Sequence, residues 1–424
     1  MTKKLFKKNN GINRVVSNIL SLGILQGGIS LLPLLTVPYL VRVIGVDLFG
    51  LLAFANATIA YFNVITDFGF SLTATREVSL NRDDNKKIIE IFSSVLTIKL
   101  VLLLLSLSIL IILGYIFPIF GDDFTIFILS FGLVLGQMIF PQWFFQGMEK
   151  MQYVTYFNIG AKIFYTLFIF ILINKRSDYY LVPLLNSLSF IISGLISLVI
   201  INRKFKVKFK VQRLCVLKKY FKDSFKVFKG TFSYSAIAPT TIFLTGSFFG
   251  NLIVGYYSAV EKMIRGIAYL ASPIAQAIFP FLAKEFTENP KKTLKISIKI
   301  SLSFLILTLL ISLFLGFNAE TVLAFLYKED FITSFTLKTY YIMLFFPPLY
   351  GIVHTYCTQN LLIIKKFDTY GYTLMSAFIF SLIIYFLLMT LIGKLAAPFT
   401  VVITELYIAL TLIFFIIKYR REIV

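Results

Sequence analysis

Glu261, Lys262 and Arg265 stand together inside a long apolar run of this 424-residue chain. Glu261 and Arg265 are four apart, so on a helix they share a face and can pair, while Lys262 points about 100° away. One internal pair leaves one positive charge over. Such a turn either orients its helix through a salt bridge or presents a cationic wall to an anionic ligand. A second set is Asn56, Asn63, Asp67 and Ser71, whose spacing puts all four on one helical stripe. Arg76 and Glu77 follow at the end of that stripe, and the plain structural role for Asp67 is to pair with Lys99 or another nearby cation. Lys162 and Glu405 stand alone in apolar surroundings, and Gln26, Gln146 and Gln359 are uncharged groups suited to hydrogen bonds between helices. No catalytic set accompanies them: there is no GxSxG, no glycine-rich phosphate loop with its lysine, no CxxC and no HExxH. The single histidine, His354, excludes a histidine-based metal site, and no cofactor is expected.

These residues need unusual elements to position them. The chain is 58% hydrophobic and 14% charged, with a mean hydropathy of +0.86. Soluble domains are roughly 45–50% apolar and about 25% charged, so too little polar surface is available to cover a water-soluble body. The apolar residues come in blocks of about 20, the length a helix needs to cross roughly 30 Å of hydrocarbon. Period-2 strands of about ten residues are not the pattern, which argues against a barrel. The fold class is therefore all-α integral membrane, with about twelve spans near 15–41, 48–74, 92–117, 124–146, 153–173, 179–201, 230–249, 252–282, 296–317, 333–363, 370–392 and 397–417. The basic, polar start, residues 1–14, is followed by an apolar run too long for a cleaved signal peptide, which reads as a retained first span.

Net charge is +21, from 41 Lys and Arg against 20 acids. With the N-terminus inside, about 31 of the 41 basic residues fall on the inner side and about 6 outside, the bias of cytoplasmic loops rather than of nucleic-acid binding. Both termini are thus expected in the cytoplasm, and no disulfide is expected between Cys215 and Cys357. Residues 202–229 hold eleven Lys and Arg against one acid, Asp223. There Leu214, Leu217, Phe221, Phe225 and Phe228 recur at helical spacing, which predicts a basic amphipathic helix on anionic membrane lipid. This linker divides the chain into a six-span half, 1–201, and a second, 230–424. The halves share a pattern: Gly45, four residues, Gly50 and a small residue three on, matched 205 residues later by Gly250, Gly255 and Ser258.

A charged side chain at mid-bilayer costs about 2.5–3.5 kcal/mol, so embedded charges should face a cavity or a partner. Lys162 lies about nine residues, roughly 13 Å, into its span, a strained distance for snorkelling. Glu405 has no neighbouring cation in sequence, which suits a carrier coupled to H+ or Na+. Proline pairs in the first span (Pro33, Pro38), the eighth (Pro273, Pro280) and the tenth (Pro347, Pro348) predict bends.

Four stretches carry a family likeness. Pro33-Leu-Leu-Thr-Val-Pro38-Tyr-Leu-Val-Arg42-Val-Ile-Gly45, with Leu48-Phe-Gly50 after it, resembles the start of Wzx-type O-antigen flippases. Asp67-Phe-Gly-Phe-Ser-Leu-Thr-Ala-Thr75-Arg76, Phe140-Pro-Gln-Trp-Phe-Phe-Gln146-Gly-Met-Glu149-Lys150-Met151 and Pro273-Ile-Ala-Gln276-Ala-Ile-Phe-Pro280 resemble the same family in the same order. The resemblance implies a MATE-like, V-shaped transporter of two six-helix halves. It implies a cargo of undecaprenyl-pyrophosphate-linked oligosaccharide, moved from the inner to the outer leaflet of the bacterial inner membrane by alternating access. Contact with a polysaccharide polymerase and a chain-length regulator is implied with it. Read against that cargo, Arg42, Arg76, Lys162, Lys262 and Arg265 are candidates for the pyrophosphate, whose oxygens suit cationic donors. Gln26, Asn56 and Asn63 are candidates for the glycan, and Asp67, Glu261 and Glu405 for ion coupling. The rival readings are a MATE-type multidrug antiporter, which would want an acidic, cation-selecting cavity, and a membrane polymerase or ligase, which would want a large external loop.

Overall fold

The computed structural model describes residues 32–121, 123–269, 289–364 and 366–423, with a few positions between 275 and 286. Gln26, Pro273, Gln276 and Pro280 lie outside the described residues. The described secondary structure is helical throughout. In lipid every backbone N–H and C=O must be matched within the chain, and helices do so one segment at a time. Among the described residues eight stretches are long and apolar enough to cross a membrane, and Leu32–Ile44 is a shorter apolar helix. One of the eight, Asp368–Tyr419, contains two helices joined by a short turn, Gly393–Leu395. Helix is present in the described part of each of the twelve spans read from hydropathy.

The described residues pack as two compact units, one within 43–255 and the other made of residues 32–42 with those described from 256 on. The basic linker and the seventh span therefore pack with the first unit, so packing units and sequence halves are different divisions of the chain.

In the 43–255 unit, α2 (Val46–Asp67) and α3 (Phe70–Leu80) are halves of one predicted span. They are separated by Phe68 (φ 49°) and Gly69 (φ 78°). Then come α4 (Asn85–Ile116), α5 (Phe124–Ile139), the short α6 (Gln142–Gly147), α7 (Met151–Leu172) and α8 (Leu181–Lys204). Pro141 separates α5 from α6. Helices α5 and α8 lie close because Gly132 and Gly136, four apart on α5, face Ser187 and Phe190 of α8. Small residues at that spacing let helix backbones approach in lipid, where dispersion rather than hydrophobic burial drives association. The basic helix opens α9 (Leu214–Ala268), which is interrupted at Gly250 (φ 77°, ψ 174°). Its aromatic face packs on the protein itself. Phe221 and Phe228 stack on Phe68 at 4.5 and 4.8 Å between ring centres. Tyr220 donates to Glu90 at 3.1 Å. Burial, then the Glu90 carboxylate, pushes the Tyr220 phenol above its usual value, so it stays a donor.

The two Gly-x4-Gly patterns meet in this unit. Gly45 and Gly250 both have positive φ with extended ψ, a conformation essentially reserved for glycine, and each precedes a helical run. A Cβ on Gly50 would lie 1.8 Å from the carbonyl oxygen of Asn251, and one on Gly255 would lie 2.0 Å from that of Val46. The contact is reciprocal: each run presses its second glycine against the residue that follows the other run's first.

In the other unit, α1 (Leu32–Ile44) precedes the last turns of α9, from residue 256. It continues with α10 (Pro290–Phe317), α11 (Ala319–Tyr327) and α12 (Ser334–Met343). The tenth span breaks before Pro347 and Pro348, resumes as α13 (Phe346–Ile352), widens to a π-helical turn at Val353–Cys357, and ends as α14 (Thr358–Ile363). Helices α15 (Phe367–Ile392) and α16 (Ala396–Ile423) pack on each other, with Phe380 stacked on Tyr407 at 4.5 Å.

Candidate functional site

The residues singled out by chemistry fall into two places, one in each unit, and several fall in neither. Arg42 ends α1 and donates to the carbonyl oxygen of Phe325 in the last turn of α11, where a cation suits unmatched carbonyls and the helix dipole. Arg76 is exposed and pairs with its neighbour Glu77 at 3.3 Å. Asn56 donates to its own helix, at the Leu52 carbonyl, 2.8 Å away. Each of these three has a local structural partner.

The first place is on α9. The Arg265 Nε donates to Glu261 at 2.9 Å, and the two side chains are 16% and 3% exposed. Arg265 also sits over the Phe346 ring at 4.6 Å, a cation–π contact, and reaches the Tyr269 hydroxyl at 3.4 Å. Aromatic rings continue from there: Tyr269 on Tyr350, and Tyr350 stacked on His354 at 4.0 Å in the π-helical turn. Turns of that kind recur at functional sites. Lys262 is half-buried beside the pair. Glu405 on α16 lies within the electrostatic reach of Arg265 and forms no ion pair among the described residues. Spacing found Glu261 and Arg265, and its embedded charge found Glu405; Phe346 and Tyr350 come from a different span and carried no such signal.

The second place is a cavity of about 360 Å³ within the 43–255 unit. Asn63, Asp67 and Ser71 line it, three members of the predicted stripe. Lys99 reaches in from α4 and pairs with Asp67 at 3.1 Å. The other Asp67 oxygen accepts from the Ser71 hydroxyl at 2.7 Å. Gln137, Gln142, Trp143 and Asn158 complete the polar wall, and Gln142 donates to Asn158 at 3.3 Å. Lys162, one turn beyond Asn158 on α7, is half-buried and is not among the lining residues. Gln142, Trp143 and Asn158 belong to helices with no shared spacing in sequence, so only the packing brings them to Asp67. Among the described residues no group of three or more His, Cys, Asp or Glu could hold a metal ion.

A family model described as polysaccharide biosynthesis protein matches residues 15–286. The chain belongs to that family. The four motifs that carried the resemblance all lie inside the matched region, and the fold class agrees with it. The chain is 28% identical over 402 residues to an Escherichia coli (strain K12) protein named "Putative O-antigen transporter", covering 94% of this chain and 96% of that one. Solved structures that share the fold include the following two. One is the lipid II flippase MurJ in an inward closed conformation, with TM-score 0.69, 17% identity, and 95% of this chain and 90% of that one covered. The other is an inward-facing multidrug resistance MATE family transporter, with TM-score 0.68, 12% identity, and 97% and 98% covered. The chain is thus a multi-pass membrane protein of the MATE-like fold.

Proposed function

We propose that this chain is a flippase rather than an enzyme. It carries undecaprenyl-pyrophosphate-linked oligosaccharide repeat units from the inner to the outer leaflet of the bacterial inner membrane by alternating access, with both termini cytoplasmic. The observation that carries the reading is the largely enclosed Glu261–Arg265 pair on a membrane-spanning helix, whose guanidinium also lies over the Phe346 ring. Ionised groups within a membrane span face the bundle interior and mark substrate paths, and a pyrophosphate is an anion that Arg and Lys suit. Membership of a polysaccharide biosynthesis family and a relative named as an O-antigen transporter support the class of cargo. The membrane potential favours the direction, since an anion leaving a negative interior gains about 2.3 kcal/mol per charge per 100 mV.

Lys262 and Arg265 take the pyrophosphate in this reading. Arg42 and Arg76 serve as anchors at the ends of their helices, and Lys162 is a secondary cation. The halves 1–201 and 230–424 are related repeats, and the basic 202–229 segment meets anionic lipid. Of the three carboxylates, Asp67 and Glu261 are held by Lys99 and Arg265, so Glu405 is the one assigned to H+ or Na+ coupling. The test is complementation of a deletion strain. The wild-type gene restores surface polysaccharide, whereas Lys262→Ala/Arg265→Ala, at equal protein in the membrane, does not, and single repeats stay on the cytoplasmic leaflet. Normal polymer from that variant would sink the assignment. Displayed but unpolymerised repeats in the deletion strain would point to a polymerase instead.

A further inference from the structure

The cavity beside Asp67 has features that the charge-based reading leaves unused. Three buried polar atoms on its walls, Asn63 Oδ1, Thr66 Oγ1 and Trp143 Nε1, have no hydrogen-bond partner among the described residues. Thr66 and Trp143 are 2% and 1% exposed. A buried polar group left unmatched costs about 1–3 kcal/mol, so three around one space mark groups whose partner is neither backbone nor neighbouring side chain. The space is about 360 Å³, more than ten times the roughly 30 Å³ of a water molecule and within the roughly 300–1,000 Å³ range of ligand sites.

We infer that this cavity is a subsite for one uncharged sugar ring of the carried glycan, an inference that rests on the flippase reading above. The two full charges on the cavity wall, Lys99 and Asp67, neutralise each other at 3.1 Å, which leaves no net charge to hold a phosphate or a metal cation. What remains is a mixed donor and acceptor surface. The amides of Asn63, Gln142 and Asn158 each donate and accept, the pattern that adjacent ring hydroxyls require. Phe140, Trp143 and Phe190 add aromatic rings to the lining, apolar neighbours of the kind the C–H face of a pyranose packs on. Polarity also runs inward from an entrance: Ser71 is exposed, Asp67 half-buried, and Thr66, Lys99 and Trp143 buried.

The protein carries its own reporter, because Trp143 is the only tryptophan in the chain. The probe is the oligosaccharide released by mild acid from the lipid-linked intermediate that accumulates in the deletion strain. Added to full-length protein in detergent, it should change the tryptophan emission saturably. Thr66→Val, which exchanges the unmatched hydroxyl for a methyl of the same size, should raise the half-saturating concentration about tenfold, the worth of one hydrogen bond. It should also lower surface polysaccharide in cells at wild-type protein levels. Asn63→Leu is carried alongside, with the same expectation, in case Thr66→Val does not accumulate. The inference is overturned if the wild type restores surface polysaccharide yet gives no saturable emission change. It is equally overturned if the variants bind and transport as the wild type does, which would leave ordered water as the partner of the three atoms. Failure of the wild type to restore polysaccharide, or absence of any lipid-linked intermediate, overturns the flippase reading itself.

Discussion

The carboxylate of Glu261 is buried and the guanidinium of Arg265 largely enclosed, so removing either leaves the other without its ion-pair partner in a low-dielectric setting. Removing one partner of such a pair costs about 3–5 kcal/mol, whereas replacing both with neutral groups is often close to neutral. Arg265→Met is therefore expected to lower the thermal midpoint of the detergent-solubilised protein, and Glu261→Gln/Arg265→Met to recover most of that loss. The double variant should still fail to restore surface polysaccharide, because the cationic contact is gone; full restoration would reduce the pair to a structural role. Glu405 has no ion-pair partner of this kind among the described residues. Glu405→Gln should accordingly leave the midpoint nearly unchanged while slowing translocation and removing its dependence on a proton or sodium gradient in vesicles. At this scale the sequence is legible where one helix supplies the neighbours. Asn63, Asp67 and Ser71 stay on one face across the Phe68–Gly69 break because the Ser71 hydroxyl bonds Asp67 and ties α3 to the end of α2. Asn56, a member of the same stripe, turns to its own backbone instead. Lys99 could be named as a partner for Asp67, but Trp143 and Asn158 could not, since nothing in local spacing records which distant helices share a cavity.

Hydropathy located the helical spans but not their interruptions, and the interruptions decide where the polar groups point. The break at Phe68–Gly69 looks apolar in sequence, and its cause is tertiary: Gly69 lies against the backbone of Ser224 and Phe228, where a Cβ would sit 3.1–3.2 Å from backbone atoms. Pro347–Pro348 gave a better signal, since proline cannot continue a helix without losing a backbone bond; the break at Pro141 fell inside a span read as continuous. Gly250 isolates the conformational term cleanly. A Cβ there meets nothing within 4 Å, so only its backbone dihedrals resist substitution. Gly250→Ala should cost about 1–3 kcal/mol, read as a lower thermal midpoint. A midpoint equal to that of the wild type would mean that the break is not held in this conformation.

For the molecule as a whole, orientation rests on the distribution of Lys and Arg, and the two cysteines allow it to be measured. Cys215 is exposed at the start of α9, next to the basic segment, while Cys357 is buried in the π-helical turn. A membrane-impermeant maleimide should label Cys215 in inside-out vesicles and not in right-side-out ones, with Cys357 unreactive in both until the protein is denatured. Labelling from the outside would reverse the topology. The reciprocal contact at Gly50 and Gly255 has a genetic consequence. Each glycine abuts a carbonyl oxygen, an atom that all twenty residue types carry, rather than a side chain that a second mutation could trim. A selection for suppressors of Gly50→Ala should therefore return true revertants, and changes at residue 251 should be absent from the survivors.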